Sequence, residues 1–283
     1  IVQEVRAAGF HTPIVVGGYD ATERPEHYLR HYRVDCVLRG EGEETSVALV
    51  ERWPEVEGIT GLSYLRDGVA VHHPPTERLE QLDELPWPAR HLVDLKRYRL
   101  SPGYRKYASS TSLFANRGCP HQCTFCDQAV FGRSMTWRSP ASIVDEMEFL
   151  ATEHGARDIR IHDDVFNVNP KRSKALLEEM IRRKLDVSWH CADRVDHVTP
   201  ELLGMMRAAG CYRIEFGLEA GTPRILELIK KGKHATLERA EQAFRWTQAA
   251  GIEVLSNFIL GFPTETRAEM EETIRVADAY DPD

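Results

Sequence analysis

The feature that most constrains the fold is the regular alternation of strand-like and helix-like segments in the C-terminal part of the chain. Apolar segments typical of buried strands lie at 112–118, 158–164, 188–194, 211–219 and 253–261. Segments typical of helices lie at 140–154, 170–184, 200–209, 223–231, 237–250 and 267–280. Strands that alternate with helices pair in parallel, and right-handed crossovers place every loop that follows a strand at the same end of the sheet. The pattern therefore predicts an α/β fold with a curved, barrel-like parallel sheet and converging loops.

Three cysteines follow the first of these strands, and Cys119, Cys123 and Cys126 all lie within eight residues. Thiolates select zinc, copper(I) or iron–sulfur clusters. A structural zinc site uses four protein ligands, and ordinary cluster ligation uses four cysteines. Three thiolates therefore favour a 4Fe–4S cluster in which one iron stays open to another ligand. A zinc knuckle or a set of buried thiols is the alternative.

The spacing of these cysteines, with the aromatic Phe125 just before the last of them, resembles the CxxxCxxC signature of the radical S-adenosylmethionine (radical SAM) superfamily. The resemblance implies that the open iron binds S-adenosylmethionine (SAM), which is cleaved to methionine and a 5′-deoxyadenosyl radical. It also implies a partial (βα)6 TIM-like barrel of six strands, of which this chain would lack the last. His121 lies between two of the cysteines, and we expect it to shape the loop rather than to ligate metal.

The same resemblance implies SAM-binding roles at the ends of the second and third strands. Asp163 and Asp164 match by position the segment that binds the SAM amino group, and the alternative is that they cap the following helix. Arg194 is a candidate for the SAM carboxylate, because a guanidinium fork matches a carboxylate. The alternative for Arg194 is a surface ion pair.

The fourth and fifth strands carry the remaining candidates. Residues 215–222 closely match the family's fourth-strand motif, in which Glu219 would accept ribose hydroxyls. Asn257 and Phe125 would lie near the adenine. Strand alternation puts Glu215 on the same face as Glu219, and two carboxylates inside a barrel are costly unless they are paired or used. Three lysines near the end of the next helix are expected to be solvated, namely Lys230, Lys231 and Lys233.

The N-terminal part of the chain shows a second alternation, typical of a Rossmann-like doubly wound unit. Predicted helices lie at 1–8, 25–32 and 43–53, and predicted strands lie at 13–16 and 34–38. Gly17 and Gly18 follow the first of these strands, and their surroundings resemble the last part of the cobalamin-binding domain found before many radical SAM cores. The resemblance implies that both glycines let the backbone approach the nucleotide tail of cobalamin. In the alternative, they only turn the chain.

Three regions follow from these patterns. We expect a partial cobalamin-binding (Rossmann-like) domain at 1–58, a hairpin and linker at 59–111, and a radical SAM core without its last strand at 112–283. The chain starts at Ile1 rather than Met, and we expect it to be a fragment of a longer protein.

The region between the two predicted domains has a hairpin signal and an apolar linker. Asp67-Gly68 separates two strand-like segments at 59–65 and 69–73, which is typical of a β-hairpin. Large side chains of the linker are expected to pack against the core because they are costly to expose, and these are Trp87, Leu92 and Tyr98.

The composition excludes several classes of protein. The net charge of −8 argues against a nucleic-acid partner. The sequence contains no apolar run of about 18 residues, as a membrane helix would need, and no signal-peptide pattern. The isolated Cys36, Cys191 and Cys211 are expected to be core residues. A reducing, cytoplasmic setting fits an exposed cluster with an open iron.

These features predict a radical SAM enzyme with three cofactors, a 4Fe–4S cluster, SAM and cobalamin. Methyl transfer from cobalamin to an unactivated centre of a small-molecule substrate is the favoured reaction, with flavodoxin or ferredoxin as electron donor. A radical SAM cyclase or oxidoreductase that transfers no methyl group is one alternative. A non-catalytic iron–sulfur or zinc binding module is the other.

Overall fold

The computed structural model describes residues 1–97, 105–280 and 282, without the side chain of Lys96. The chain divides into two units. The first comprises Ile1–Glu80, Gly118–Pro120 and Asp127–Ser134. The second comprises Gln81–Arg117, His121–Cys126 and Met135–Asp283. The boundaries predicted from the sequence at 58 and 111 stay predictions.

The first unit is built on a four-stranded mixed sheet with strand order β1-β2-β3-β4. Its elements are α1 (Val2–Ala7), β1 (Val15–Val16), α2 (Tyr19–Glu23), α3 (Pro25–His27) with a π-helical turn (Tyr28–Tyr32), β2 (Cys36–Leu38), α4 (Glu43–Arg52), β3 (Leu62–Arg66) and β4 (Val69–His72). Strands β1 and β2 are parallel, whereas β2, β3 and β4 are antiparallel. The predicted hairpin is confirmed as β3 and β4, and it extends the Rossmann-like sheet.

The second unit contains the predicted parallel sheet, with strand order β11-β10-β9-β8-β5, and a two-stranded sheet of β6 and β7. Its strands are β5 (Ser110–Leu113), β6 (Asn116–Arg117), β7 (Thr136–Trp137), β8 (Asp158–Ile161), β9 (Ser188–Asp193), β10 (Cys211–Glu219) and β11 (Glu253–Phe258). Its helices are α5 (Pro140–His154), α6 (Pro170–Arg183), α7 (Pro200–Ala208), α8 (Pro223–Leu228), α9 (Leu237–Ala249) and α10 (Arg267–Tyr280). All neighbours in the large sheet are parallel, which confirms the predicted α/β class.

The helices of the second unit begin where the sequence supplies a cap. Ser139, Asn169, Thr199 and Thr236 each accept a hydrogen bond from the backbone N–H three residues later. Proline follows the first three of these caps, at a position whose N–H has no helical partner in any case.

The core of the second unit lies between the large sheet and its helices. Ile161, Trp189 and Phe216 are fully buried there. The expectation that Cys36, Cys191 and Cys211 are core residues is confirmed, since each is at most 1% exposed. Within the part of the chain that the structure describes, no helix is long and apolar enough to cross a membrane.

Of the linker residues predicted to pack against the core, the structure bears out only part. Trp87 lies against Phe149, with ring centroids 5.2 Å apart. Leu92 is 75% exposed, so the expectation that it packs against the core is wrong. Tyr98 lies outside the described residues. The linker is held instead by Arg90, whose guanidinium donates to Glu146 of α5 and to the carbonyl oxygen of Ser112 in β5.

Candidate functional site

The first cysteine follows a glycine that no other residue can replace without strain. Gly118 has φ of +91°, and a Cβ atom there would overlap the carbonyl oxygen of Ser134. The backbone N–H of Cys119 donates to the carbonyl oxygen of Gly132 at 3.3 Å. Backbone contacts therefore fix the start of the cysteine loop.

The second and third cysteines flank a tight turn in the second unit. The N–H of Cys126 donates to the carbonyl oxygen of Cys123 at 3.2 Å, and the N–H of Thr124 donates to the carbonyl oxygen of Ile229 at 3.0 Å. Cys123 is partly exposed and Cys126 is exposed. The turn therefore leaves both residues accessible.

The donor set of the loop fits an iron–sulfur cluster in its chemistry. Cys119, Cys123 and Cys126 are all at least partly exposed, in contrast to the three core cysteines. Within residues 1–97, 105–280 and 282, no three side chains of His, Cys, Asp or Glu are grouped so that they could hold a metal ion. Metal ligation by the three cysteines therefore stays a prediction that rests on their spacing, accessibility and softness.

Phe125 joins the cysteine loop to two other parts of the second unit. Its ring centroid lies 5.8 Å from that of Phe262, just after β11. Lys231 Nζ lies 5.7 Å from the same ring centroid, which is cation–π range. The ring is 40% exposed, so part of it is open to a ligand. Its predicted place near the adenine stays a prediction.

Lys231 links three of the predicted site residues. It is 5% exposed, and its Nζ lies 3.1 Å from Glu219 Oε1. Its carbonyl oxygen accepts a hydrogen bond from Arg194 Nη2 at 2.6 Å. The expectation that Lys231 is solvated is therefore wrong, whereas Lys230 and Lys233 are exposed as expected. Helix α8 ends at Leu228, so Lys231 lies in the following turn, and no sequence signal distinguishes it from its neighbours.

A register shift at the end of β10 sets the position of Glu219. The pairing of β10 with β11 shifts between Gly217 and Glu219, and Glu219 has φ of 78°. A Cβ atom at Gly217 would overlap Glu219 Oε1 and would lie 3.2 Å from Lys231 Nζ. Glycine at 217 therefore makes room for the ion pair of Glu219 and Lys231.

Arg194 is buried, which excludes the surface ion pair considered for it. Its guanidinium donates to both carboxylate oxygens of Asp196 at 2.9 and 3.0 Å, and the side chain is 5% exposed. Among the described residues, its Nη1 has no hydrogen-bond partner. A buried donor of this kind fits the predicted carboxylate ligand.

Asp163 anchors the chain just before the cysteine loop. Its carboxylate accepts hydrogen bonds from the backbone N–H groups of Ala115 and Asn116 at 2.7 and 2.9 Å, and from Asn116 Nδ2 at 2.6 Å. Burial outweighs these hydrogen bonds and raises the pKa of Asp163 to about 7. Asp164 is exposed. Neither aspartate caps helix α6, because Asn169 does so.

His121 lies between the first two cysteines of the loop, and its ring is packed against another histidine. Its ring packs against that of His197, with centroids 5.0 Å apart. Burial, followed by the positive charge of Arg194, lowers the pKa of His121 to about 4. The imidazole is therefore neutral at pH 7 and packs within the second unit.

Of the two options left open for the strand carboxylates, paired or used, the structure shows that both are paired. Glu219 pairs with Lys231. Glu215 accepts from Arg160 Nη2 at 3.0 Å and from Asn257 Nδ2 at 2.9 Å. Sequence reasoning missed Arg160, which lies on β8, two strands away from β10. The place of Asn257 near the adenine stays a prediction.

The two glycines of the first unit follow β1. Gly18 has φ of +98° and precedes helix α2, and a Cβ atom there would meet nothing within 4 Å. A Cβ atom at Gly17 would lie 3.4 Å from the carbonyl oxygen of Leu38. Gly18 therefore leaves open backbone beside the turn, which fits the close approach of a ligand.

Comparisons with known proteins bear on the fold and the family of the chain. The model of the radical SAM superfamily matches residues 114–277. An uncharacterized methyltransferase of Pyrococcus horikoshii is 35% identical over 275 residues, which are 95% of this chain and 58% of that protein. An anaerobic magnesium-protoporphyrin IX monomethyl ester cyclase of Rubrivivax gelatinosus is 30% identical over 279 residues, which are 95% of this chain and 49% of that protein. The chain thus spans about half of the length of these relatives.

A solved structure supports the fold over nearly the whole chain. It is that of the radical SAM methyltransferase TsrM from Kitasatospora setae with cobalamin and a 4Fe–4S cluster bound. The TM-score is 0.78 at 23% identity, and the match covers 99% of this chain and 55% of that chain.

Proposed function

This chain belongs to the radical SAM superfamily, and we propose that it carries the SAM-cleaving part of a cobalamin-dependent methyltransferase. One observation carries the proposal. The cysteine loop follows the first strand of a five-stranded parallel sheet, and Lys231 connects Phe125 of that loop with residues at the ends of β9 and β10. The candidate residues for one ligand, Arg194, Glu219 and Phe125, therefore all contact a single residue, Lys231.

Each candidate has a role that its surroundings support. Cys119, Cys123 and Cys126 would hold a 4Fe–4S cluster, which when bound supplies the electron that breaks a carbon–sulfur bond of SAM. The buried Nη1 of Arg194 would donate to the SAM carboxylate. The exposed Asp164 would accept from the SAM amino group, since Asp163 is already saturated by three donors.

The remaining groups would position the nucleoside half of SAM. Glu219 would accept hydrogen bonds from the ribose hydroxyls, and its ion pair with Lys231 would hold the carboxylate in place. Phe125, together with Asn257, would lie against the adenine. Asp163 would act on Asn116 and so hold the chain that leads into the cysteine loop.

The first unit would supply the contact with cobalamin. Gly17 and Gly18 lie at the end of β1, where the backbone turns into helix α2. Open space beside Gly18 supports a close approach of the cobalamin tail. Cobalamin would provide the methyl group that is transferred to a small-molecule substrate. An electron donor such as flavodoxin or ferredoxin, and a cytoplasmic setting, belong to the same proposal.

One alternative to methyl transfer is supported by a specific observation. A relative that is 30% identical is a cyclase, whereas the relative that is 35% identical is a methyltransferase. A radical SAM cyclase that transfers no methyl group is therefore the second candidate.

The test starts with anaerobic reconstitution of the 283-residue chain with iron and sulfide. We expect the electron paramagnetic resonance spectrum of the reduced protein to shift when SAM is added. Cys123→Ala should abolish both the cluster signal and SAM cleavage. The matched control, Cys36→Ala, should keep both because Cys36 is buried in the first unit. A cluster that ignores SAM, or one tightly bound zinc instead, would leave only a metal-binding module.

The reaction class needs a second measurement. The chain is supplied with methylcobalamin that carries an isotope label in its methyl group. A methyltransferase should yield product that contains this labelled methyl group. SAM cleavage that leaves this label in cobalamin would favour the cyclase.

A further inference from the structure

The large sheet has an apolar face and a polar face. Along β8, Ile159 and Ile161 are fully buried in the helix-covered core, whereas Arg160 between them is only partly buried. Side chains alternate across a strand, so Arg160 lies on the opposite face of the sheet. Glu215 of β10 binds Arg160 on this polar face, and Asn257 of β11 in turn donates to Glu215.

The lower part of the polar face is closed by a buried network. Asp158, His190 and Tyr212 are at most 3% exposed. Tyr212 Oη lies 3.0 Å from His190 Nδ1 and 3.4 Å from Asp158 Oδ2. The backbone N–H of Lys106 donates to the same Asp158 oxygen at 2.8 Å. These residues form a floor near the N-terminal ends of the strands.

Above this floor, an ion pair crosses a whole strand. Arg160 of β8 reaches Glu215 of β10, and β9 lies between them. The residue of β9 that pairs with Glu215 is Ala192, whose methyl side chain leaves the path open. The side chains of Arg160 and Glu215 are 22% and 16% exposed. The pair is therefore accessible from the polar face without being fully solvated.

The ion pair of Arg160 and Glu215 has more N–H donors than acceptor oxygens with which they can bond. Glu215 accepts at both oxygens, one from Arg160 and one from Asn257. Among the described residues, Arg160 makes one hydrogen bond, whereas a guanidinium carries five N–H donors. The unused groups are therefore donors with a positive charge, and the complementary ligand group is an anion with two acceptor oxygens.

The upper rim of the same face carries an aromatic pair. Phe114, just after β5, is 43% exposed, and its ring centroid lies 5.9 Å from that of His162, just after β8. His162 follows Arg160 by two residues, and residues two positions apart along a strand lie on the same face. The rim and the arginine are thus close enough to contact one small molecule.

We propose that Arg160 binds a carboxylate of the substrate and that Phe114 and His162 contact the unsaturated or aromatic body that carries it. This proposal rests on the proposed function, because it assigns the substrate class of the same sheet. It disfavours a purely apolar hydrocarbon, which would cover the unused N–H donors of Arg160 without offering them an acceptor.

Binding of two simple probes, benzoate and the neutral benzamide, tests the proposal on the 283-residue chain. Dissociation constants are measured by ligand-observed NMR without iron, sulfide or SAM. The result is therefore independent of whether SAM is cleaved. We expect benzoate to bind at least about tenfold more tightly than benzamide, and Arg160→Gln to remove that preference.

A second variant is expected to change the affinity for benzoate in the opposite direction. Glu215→Gln removes the negative charge that now competes for Arg160, so benzoate should bind about fivefold more tightly than to the unchanged chain. Arg245→Gln is the control, since Arg245 lies on helix α9, is 76% exposed and pairs with Glu241, and it should not affect benzoate. Thermal unfolding of every variant checks that it is folded.

Three results would overturn the proposal. The first is equal binding of benzoate and benzamide, and the second is weaker binding of benzoate by Glu215→Gln. If Arg160→Gln does not fold, the Glu215→Gln measurement still decides. The third is inorganic phosphate that binds more tightly than benzoate, because the site would then prefer a tetrahedral anion over a planar carboxylate.

Discussion

Lys231 Nζ lies 3.1 Å from Glu219 Oε1, and the two side chains are only 6% and 10% exposed. Removal of one partner from a buried pair leaves a charge without compensation, whereas replacement of both partners is far less costly. The pair therefore gives a stability test that does not depend on any cofactor.

Lys231→Met keeps an apolar stem of similar length and removes the charge. We expect the free energy of unfolding in guanidinium chloride to fall by about 3 kcal/mol, because Glu219 stays buried without its cation. Lys230→Met changes an exposed neighbour and should stay within about 0.5 kcal/mol. The double variant Lys231→Met, Glu219→Met should regain most of the loss, and failure to regain it would mean that the charges are not coupled.

Gly118→Ala tests the start of the cysteine loop. The added methyl group would overlap the backbone of Ser134, and alanine is strained at φ of +91°. We expect a loss of about 2–4 kcal/mol in the free energy of unfolding and less iron bound after reconstitution. Gly204→Ala in helix α7 meets nothing within 4 Å and should be neutral or stabilising by up to about 1 kcal/mol. Equal effects of the two substitutions would contradict the close approach at Gly118.

The sequence predicted most of the framework because its signals are local. Proline after Ser139 and after Thr199 marks the first residue of α5 and of α7, and both starts are confirmed. The end of the second strand was predicted at 164, but β8 ends at Ile161. Asp163 leaves the strand ladder to bind Asn116, 47 residues earlier. Such a partner is set by tertiary structure and gives no periodic signal.

The same limit applies within the site. Side-chain alternation and cost of burial were enough to predict that Glu215 and Glu219 are either paired or used. Their partners were not predicted, because Arg160 and Lys231 are distant in sequence or look like ordinary charged residues of a helix end. Spacing identifies the type of site, whereas the groups that balance its charges depend on how the strands pair.

Asp163 should make stability depend on pH. Its pKa is raised from 3.8 to about 7 by burial, so the folded chain binds a proton more tightly than the unfolded chain. The stabilisation by this proton is present at acidic pH and is lost as pH rises through about 7. Between pH 6 and pH 8 we expect the free energy of unfolding to fall by about 1 kcal/mol more than in Asp163→Asn. A parallel pH dependence of the two proteins would show that Asp163 stays ionised throughout.

Glu146 holds the linker to the second unit through two arginines. Its carboxylate accepts from Arg90 Nη1 at 2.7 Å and from Arg138 Nη1 at 2.5 Å, and its side chain is 2% exposed. Glu146→Gln keeps the shape but leaves two largely buried guanidinium groups without a counter-charge, so we expect a loss of about 3 kcal/mol. The control is Glu148→Gln on the same helix, because its pair with Arg183 is 47% exposed at Glu148 and should contribute under about 1 kcal/mol.

Limited proteolysis distinguishes local release of the linker from global unfolding of the second unit. If Glu146 anchors the linker, cleavage between Gln81 and Arg97 should become faster in Glu146→Gln at denaturant concentrations where the large sheet is still folded. The arginines reach Glu146 from the linker and from the segment that leads into α5, so the carboxylate joins these two stretches of chain. Cleavage that accelerates only with global unfolding would show that Glu146 stabilises the whole second unit and does not anchor the linker in particular.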